Sequence, residues 1–580
     1  MDLSAVSHRS LFCDCYARNR QEIVLNIRTG KDVTSVNLVC DDPYAHGIGS
    51  NAQWTGRSIP MRLTRELKHS YIYTARLRPE YRRLQYCFEL FSGEESIFML
   101  EDDFYTPQKL QKKGRLLQYF KFPYLNPCDV ITPPEWVADT VWYQIMPDRF
   151  CKGSDHRKRI FQKNWEHRSH ITGLDFFGGD LRGIIRKLPY LKDLGITGIY
   201  LLPVFLSNTN HKYNTFDYTR IDPDFGTEAD MIELVRTAHS MGIRVMLDAV
   251  FNHSGTEFAP WKDVWEKGEN SPYFDWFVIH QKPFRRKHGS LRDGRFDGFA
   301  FLDSMPKLNT GNPQVQEYFG RVCAHWVQDW GIDGIRFDVG NEISHRFLQY
   351  MNRRLKALNP ELFLLGEIWM DSAEWLRGDE YDSVMNYPFF ESLQNFWVDE
   401  EATSRDVMYA MNRVYSLYPE QVNRVLFNHL DTHDTMRAVT RCADLDIFYQ
   451  QQAVLMTLPG SPCIYYGTEI AMEGGHDPDC RRTMPWKQIE AGEFSRHQTF
   501  TKSLIALRKA YPQLRETDIL WYHDETYPRL ICYDRPGETE TLRVYLNGTD
   551  QDIPLKATPL FAHKYENRVL KANGILICRI

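Results

Sequence analysis

At 580 residues the chain is too long for one ordinary hydrophobic core, so roughly two to four domains are expected. Its 43% hydrophobic and 25% charged residues are those of a soluble globular protein, and a net charge of -6 gives no electrostatic basis for nucleic acid or acidic lipid as partner. The first ten residues show no basic stretch leading into an apolar one, and no apolar run approaches the ~20 residues of a membrane helix, so neither a signal peptide nor a membrane span is expected.

Residues 1–125 alternate short strand-like runs with turns: Glu22-Ile-Val-Leu-Asn-Ile-Arg, Ser35-Val-Asn-Leu-Val, Tyr71-Ile-Tyr-Thr-Ala-Arg-Leu and Leu84-Gln-Tyr-Cys-Phe-Glu-Leu. That period of two predicts an N-terminal antiparallel β-sandwich. Asn126-Pro-Cys-Asp-Val-Ile-Thr-Pro-Pro134 reads as the linker that ends it. From Val141 the rhythm changes to strand, helix, strand. Apolar runs starting at Val141, Ile196, Arg244, Gly334, Phe363, Ser383, Val425 and Pro462 form one alternating series. Such a series predicts an α/β protein with a (β/α)8 TIM barrel over residues 126–511. Leu181, Ile184, Ile185, Leu188 and Leu191 show the spacing of an intervening helix. One connection, about 254–308, is far longer than an ordinary βα loop and rich in aromatics, so it predicts a small excursion domain after the third strand. Short strand-like runs return over 512–580 and predict a C-terminal β-sandwich.

The 12 cysteines are scattered without a C-x-x-C pair, which points away from zinc and disulfides and towards reduced thiols in a cytoplasmic protein. The basic clusters 155–159 and 285–287 read as solvated loops. Three acids stand out because each closes or follows one of the buried runs: Asp338 in Gly334-Ile-Arg-Phe-Asp338, Glu367 in Leu364-Leu-Gly-Glu367, and Asp434 in Leu430-Asp-Thr-His-Asp434. The C-terminal strand ends of an α/β enzyme are where its chemistry sits. Arg336 shares a strand face with Asp338, two residues on, and is expected to hold that carboxyl ionised by direct attraction.

Four blocks give the chain its resemblance: Asp248-Ala-Val-Phe-Asn-His253, Gly334 to Glu342, Gly366-Glu367-Ile-Trp369, and Leu430 to Asp434. It resembles the α-amylase family of glycoside hydrolases, and within it the cyclomaltodextrinase, neopullulanase and maltogenic amylase group, whose Met305-Pro-Lys-Leu-Asn309 sequence it shares. The resemblance implies a retaining hydrolase of α-1,4-glucans such as cyclodextrins and short maltodextrins, with pullulan and some transglycosylation in range. It assigns Asp338 as nucleophile, Glu367 as acid and then base, and Asp434 as the third acid, which grips sugar hydroxyls. His211, Tyr213, His253, Arg336 and His433 are implied around the cleaved sugar, Asp477 and Arg481 on its non-reducing side, and Phe299, Glu342 and Trp369 towards the leaving group.

Two departures qualify that picture. Gly178-Gly-Asp180 keeps part of the family's calcium loop, but Lys152, Arg157 and Lys158 stand where oxygen ligands would be needed, so the site is expected to be lost and no cofactor is required. Met370 stands where the family usually has His after the Glu-x-Trp block. Relatives commonly form homodimers through the N-terminal domain, and that state is expected here. The competing readings are an α-glucosidase or a glucan-transferring or isomerising enzyme with the same acids, and a sugar-binding subunit without catalysis.

Overall fold

The eight apolar runs become one parallel sheet in the computed structural model, which describes residues 1–47, 54–113, 118–153, 162–167 and 171–580. The strands are β1 (Trp142–Ile145), β2 (Gly198–Leu201), β3 (Arg244–Ala249), β4 (Gly334–Phe337), β5 (Phe363–Gly366), β6 (Ser383–Val384), β7 (Phe427–His429) and β8 (Ser461–Tyr465). They pair in the order β6-β5-β4-β3-β2-β1-β8-β7, and a parallel bridge from Met385 to Phe427 joins the two ends into a barrel. Every barrel-strand residue except Arg244 is buried, which is why the runs are continuously apolar and not alternating. Caps in the sequence set where the helices start. The Asp180 carboxylate accepts from Gly183 N–H at 2.7 Å to open Leu181–Leu194, Thr227 and Asp230 form a capping box before Glu228–Ser240, and Ser344 caps His345–Leu358.

The strand starts are closed by an aromatic floor. Trp142 stacks on Phe363 with ring centroids 6.0 Å apart, and Val137, Met246, Leu365, Val425 and Phe427 belong to the same core. The excursion begins with the helix Ala259–Lys267 and is tied together by single bridges, Phe277 to Leu308 and Ile279 to Phe296. Trp261 fills its centre, 4.7 Å from Phe277 and 4.9 Å from Phe296. After the barrel, Leu520–Tyr522, Leu530–Pro536, Thr541–Asn547, Ile553–Pro554, Pro559–Glu566 and Val569–Arg579 form an antiparallel sheet whose core holds Leu530, Ile553, Leu570 and Leu576.

Residues 1–132 form a separate compact unit with 398–423, a segment that lies between β6 and β7 in the sequence. It contains two antiparallel sheets, one built on Ile23–Thr29 and Tyr71–Leu77, the other on Ser35–Asp41 and Leu84–Ser92. Their inner faces bury Leu25, Ile27, Leu38, Tyr86 and Phe88. Segment 398–423 is held by charge: Glu420 receives Arg18 Nε at 2.7 Å and an Arg76 guanidinium nitrogen at 2.6 Å. The basic stretch 155–159 lies outside the described residues. Among the described residues no helix is long and apolar enough to cross a membrane.

The floor should matter for stability and not for chemistry, because it lies at the strand starts. Phe363→Ala is expected to cost about 3–5 kcal/mol of barrel stability in denaturant unfolding. Its turnover at low temperature should stay close to that of the parent, and a large loss of turnover without destabilisation would refute this separation.

Candidate active site

Strand register creates the centre of the site. Asp248 on β3 and Arg336 on β4 are direct neighbours across the sheet, and both point inwards at the level where the strands end. Arg336 is fully buried, and one of its terminal nitrogens reaches Asp248 Oδ1 and Asp338 Oδ1, each at 2.9 Å. The other lies 2.8 Å from Glu367 Oε2. Asp338 follows β4 directly and Glu367 follows β5 directly, so one guanidinium brackets three carboxyls carried by three consecutive strands. Gly366 makes room for this: a Cβ there would lie 2.5 Å from the Tyr381 ring.

The turn after Asp338 is strained. Val339 has φ 47° and ψ 47°, a left-handed conformation that a β-branched residue adopts only under constraint. The result is that Val339 N–H donates to Glu367 Oε2 at 2.9 Å. The indole N–H of Trp369 donates to Oε1 of the same carboxyl at 3.1 Å, and its ring stacks on buried Tyr387 at 3.8 Å. Both oxygens of Glu367 are thereby located before any substrate arrives.

A second group extends from Asp248. The Tyr200 and Tyr213 hydroxyls donate to its Oδ2 at 2.6 and 2.9 Å. His433 Nε2 lies 2.6 Å from the Tyr213 hydroxyl, while the Gln144 amide meets its Nδ1 at 2.8 Å. That partnership assigns the ring proton to Nε2. The rings of Tyr213 and His433 are nearly parallel with centroids 5.4 Å apart, and the His211 ring lies 5.7 Å from that of Tyr213. His253 Nε2 meets the Tyr213 carbonyl at 3.1 Å, and Phe299 stacks on His253 at 5.2 Å. Asp434 is the open member, with 32% of its side chain exposed; Arg481 reaches it at 3.1 Å and Asp477 at 2.9 Å.

All the residues named from the sequence therefore join one connected network, with Glu342 attached through Lys307. Asp248, Tyr200, Gln144 and Lys307 complete it and were not singled out from the sequence. Asp248 was legible in principle: a carboxylate inside an apolar strand needs a buried partner. Lys307 gave no such signal.

Burial lifts the Asp338 carboxyl well above the usual carboxylate range; Arg336 opposes this, and the neighbouring Glu367 and Asp248 add to it. Burial likewise raises Asp248 against the pull of Arg336. The sequence expectation that Arg336 would hold Asp338 ionised by direct attraction thus needs correction: the attraction is present, but desolvation and two nearby carboxyls outweigh it. One guanidinium among three buried carboxyls leaves room for a retained proton. The histidines behave oppositely. Burial lowers His253 to about 4 and His211 to about 3, and holds His433 well below the ordinary imidazole range with help from Arg481. All three are neutral hydrogen-bonding groups at ordinary pH.

The oxygens that could recruit calcium are otherwise engaged. Lys307 Nζ bonds the side-chain oxygen of Asn252, and the Asp180 carboxylate caps its helix. An ammonium repels a divalent ion, so Asn252 does not fit one while it is held by Lys307. Arg157 and Lys158, part of the same sequence expectation, lie outside the described residues.

Comparisons with known proteins identify the family of the chain. Residues 144–516 match the family model described as alpha amylase, catalytic domain, and residues 1–126 match that of the alpha amylase N-terminal ig-like domain. A cyclomaltodextrinase of Geobacillus thermopakistaniensis (strain MAS1) is 41% identical over 96% of this chain and 93% of its own. An intracellular maltogenic amylase of Bacillus subtilis is 40% identical over 94% of this chain and 91% of its own. A solved structure described as a cyclomaltodextrinase superposes with a TM-score of 0.88 at 36% identity, covering 100% of this chain and 98% of that one.

Asp248→Asn tests the electrostatics. Removing a negative neighbour eases ionisation of Asp338, so the acid limb of the pH–rate profile should move to lower pH. Turnover should fall about 10²-fold, the cost of misplacing Arg336 and Tyr213 slightly. An acid limb that stays where it was would disconnect Asp248 from the titration of Asp338.

Proposed function

The chain belongs to the α-amylase family and is an α-glucan hydrolase; from that premise we propose that it cleaves α-1,4-glucosidic bonds of cyclodextrins and short maltodextrins with retention of configuration. The Arg336 bracket carries the reading, because it brings two acids of opposite duty to one point with a proton to share. In the reactive protonation state the retained proton sits on Glu367 and not on Asp338: the Asp338 carboxylate attacks the anomeric carbon while Glu367 gives that proton to the departing glycosidic oxygen. This leaves a glycosyl ester on Asp338 and a carboxylate at Glu367. Glu367 then takes a proton from water, the hydroxide oxygen attacks the same carbon, and Asp338 is released.

Around that centre Asp434 holds sugar hydroxyls, its partly open carboxylate ready to exchange water for a diol. The Tyr213 face offers the sugar ring an apolar floor, and neutral His253 and His433 hydrogen-bond its hydroxyls without adding charge. His211 supports Tyr213, whose N–H donates to His211 Nδ1 at 3.1 Å. Asp477 and Arg481 close the non-reducing side, and Phe299, Glu342 and Trp369 receive the leaving group. The preference for cyclodextrins rests on the relatives that carry the name cyclomaltodextrinase. No metal takes part. A cytoplasmic location is supported by the relative described as intracellular, and a homodimer by the resemblance alone; sedimentation velocity would test the latter.

Removing each acid in turn tests the assignment. Asp338→Asn should abolish cleavage of β-cyclodextrin and of an aryl α-maltoside with an activated leaving group alike. Glu367→Gln should lose about 10²–10⁴-fold on β-cyclodextrin, but keep fast release of the activated aryl group, which needs no protonation. Equal losses on both substrates in Glu367→Gln would refute the general-acid role.

A further inference from the structure

Lys307 occupies an unusual position for a residue on the excursion. Its backbone is fixed from three sides: it bridges His253, its N–H donates to the Asp297 carbonyl at 2.9 Å, and its carbonyl accepts Val278 N–H at 3.1 Å. From that anchor its ammonium leaves the excursion and enters the barrel mouth. Nζ bonds the Asn252 side-chain oxygen on the loop after β3, then the Glu342 carbonyl and Glu342 Oε2, both at 3.1 Å, on the turn after β4. An ammonium has three N–H donors, and these three oxygens use them all.

The consequence falls on Glu342. It lies four residues beyond Asp338, at the end of the turn that starts from strained Val339, and its side chain is 46% exposed. A glutamate so exposed would ordinarily sample several rotamers. Here one of its oxygens is held, and Oε1 remains to meet whatever approaches the leaving-group side. Lys307 is itself only 21% exposed, so the pair is less screened than a surface ion pair.

We propose that Lys307 is a positioning residue that fixes the Glu342 carboxylate on the acceptor side and thereby sets how the glycosyl ester on Asp338 partitions between water and a sugar hydroxyl. This rests on the retaining mechanism proposed above. A held carboxylate presents one acceptor oxygen at a defined place, which favours one approach of the incoming hydroxyl group over others. A freed one lets both acceptors compete on diffusion and concentration.

The experiment uses maltotriose as donor and methyl α-glucoside as acceptor, with hydrolysis and transfer products counted separately in the full chain. Lys307→Met should change the transfer-to-hydrolysis ratio by about two- to fivefold, the size expected for one partly exposed ion pair. Lys307→Arg should restore part of it. In a Glu342→Leu background, where no side-chain oxygen is left to hold, the same Lys307→Met change should leave the ratio alone. A structural role only would lower both products and the melting temperature together at constant ratio, and that result overturns the proposal. So does a ratio shift of equal size in both backgrounds. If Lys307→Met does not fold, Lys307→Gln, which retains a donor for Asn252, gives the same readout. A parent enzyme that forms no glycosyl ester, shown by inversion at the anomeric carbon, would defeat the mechanism itself, whereas retention with an unmoved ratio defeats only the role of Lys307.

Discussion

The buried guanidinium of Arg336 is the constraint on which the rest of this site depends. It is fully enclosed, and a charge so placed persists only when its partners are arranged around it. The partners are carboxyls at the ends of β3, β4 and β5, so the ion cluster works as a clamp on three consecutive strands. Lysine would not serve there. Its three donors radiate from one nitrogen, whereas the planar fork of arginine carries its N–H groups on separate nitrogens, one of which meets Asp248 and Asp338 while the other lies against Glu367. The cluster is also overcharged in the acidic sense, and that imbalance is what leaves a proton available within it.

Strain and hydrogen bonding then convert a charge cluster into a fixed geometry. Val339 accepts an unfavourable backbone conformation, worth about 1–3 kcal/mol, and in exchange its N–H locates one oxygen of Glu367. Trp369 locates the other. Tyr200 and Tyr213 do the same for Asp248, and Gln144 fixes which nitrogen of His433 carries hydrogen. No loop has to close for these atoms to be in place. The stabilising cost is met by the barrel floor below, where Trp142 and Phe363 pack without any polar demand.

What could be read from the sequence follows from the same physics. Parallel strands buried on both faces must be unbroken apolar runs, so all eight could be located before any coordinates were known. The acids were legible because each ends such a run. Asp248 inside an apolar run calls for a buried partner, but which partner depends on register: only strand pairing puts Arg336 directly opposite. Lys307 was beyond reach for a different reason. It lies in the shared Met305–Asn309 block, but its partners come from two loops separated from it by 55 and 35 residues, so the block alone gives it no role. Segment 398–423 is similar, since the charge partners of its Glu420, Arg18 and Arg76, lie 402 and 344 residues earlier. Long-range electrostatics leaves no periodic trace.

The neutral histidines complete the argument about how a site built on acids handles an uncharged substrate. A sugar offers hydroxyls and C–H faces, so permanent charge near it is useful only where charge develops during reaction. Burial keeps His211, His253 and His433 unprotonated, which removes three cations that would otherwise neutralise Asp338 and Asp434. Of the cations that remain, Arg336 lies against the nucleophile, Arg481 against Asp434, and Lys307 is engaged by Asn252 and Glu342. The carboxylates face the oxocarbenium-like centre without a competing imidazolium. Desolvation therefore does two opposite things here: it makes the acids reluctant to ionise, and it silences the bases that would have quenched them.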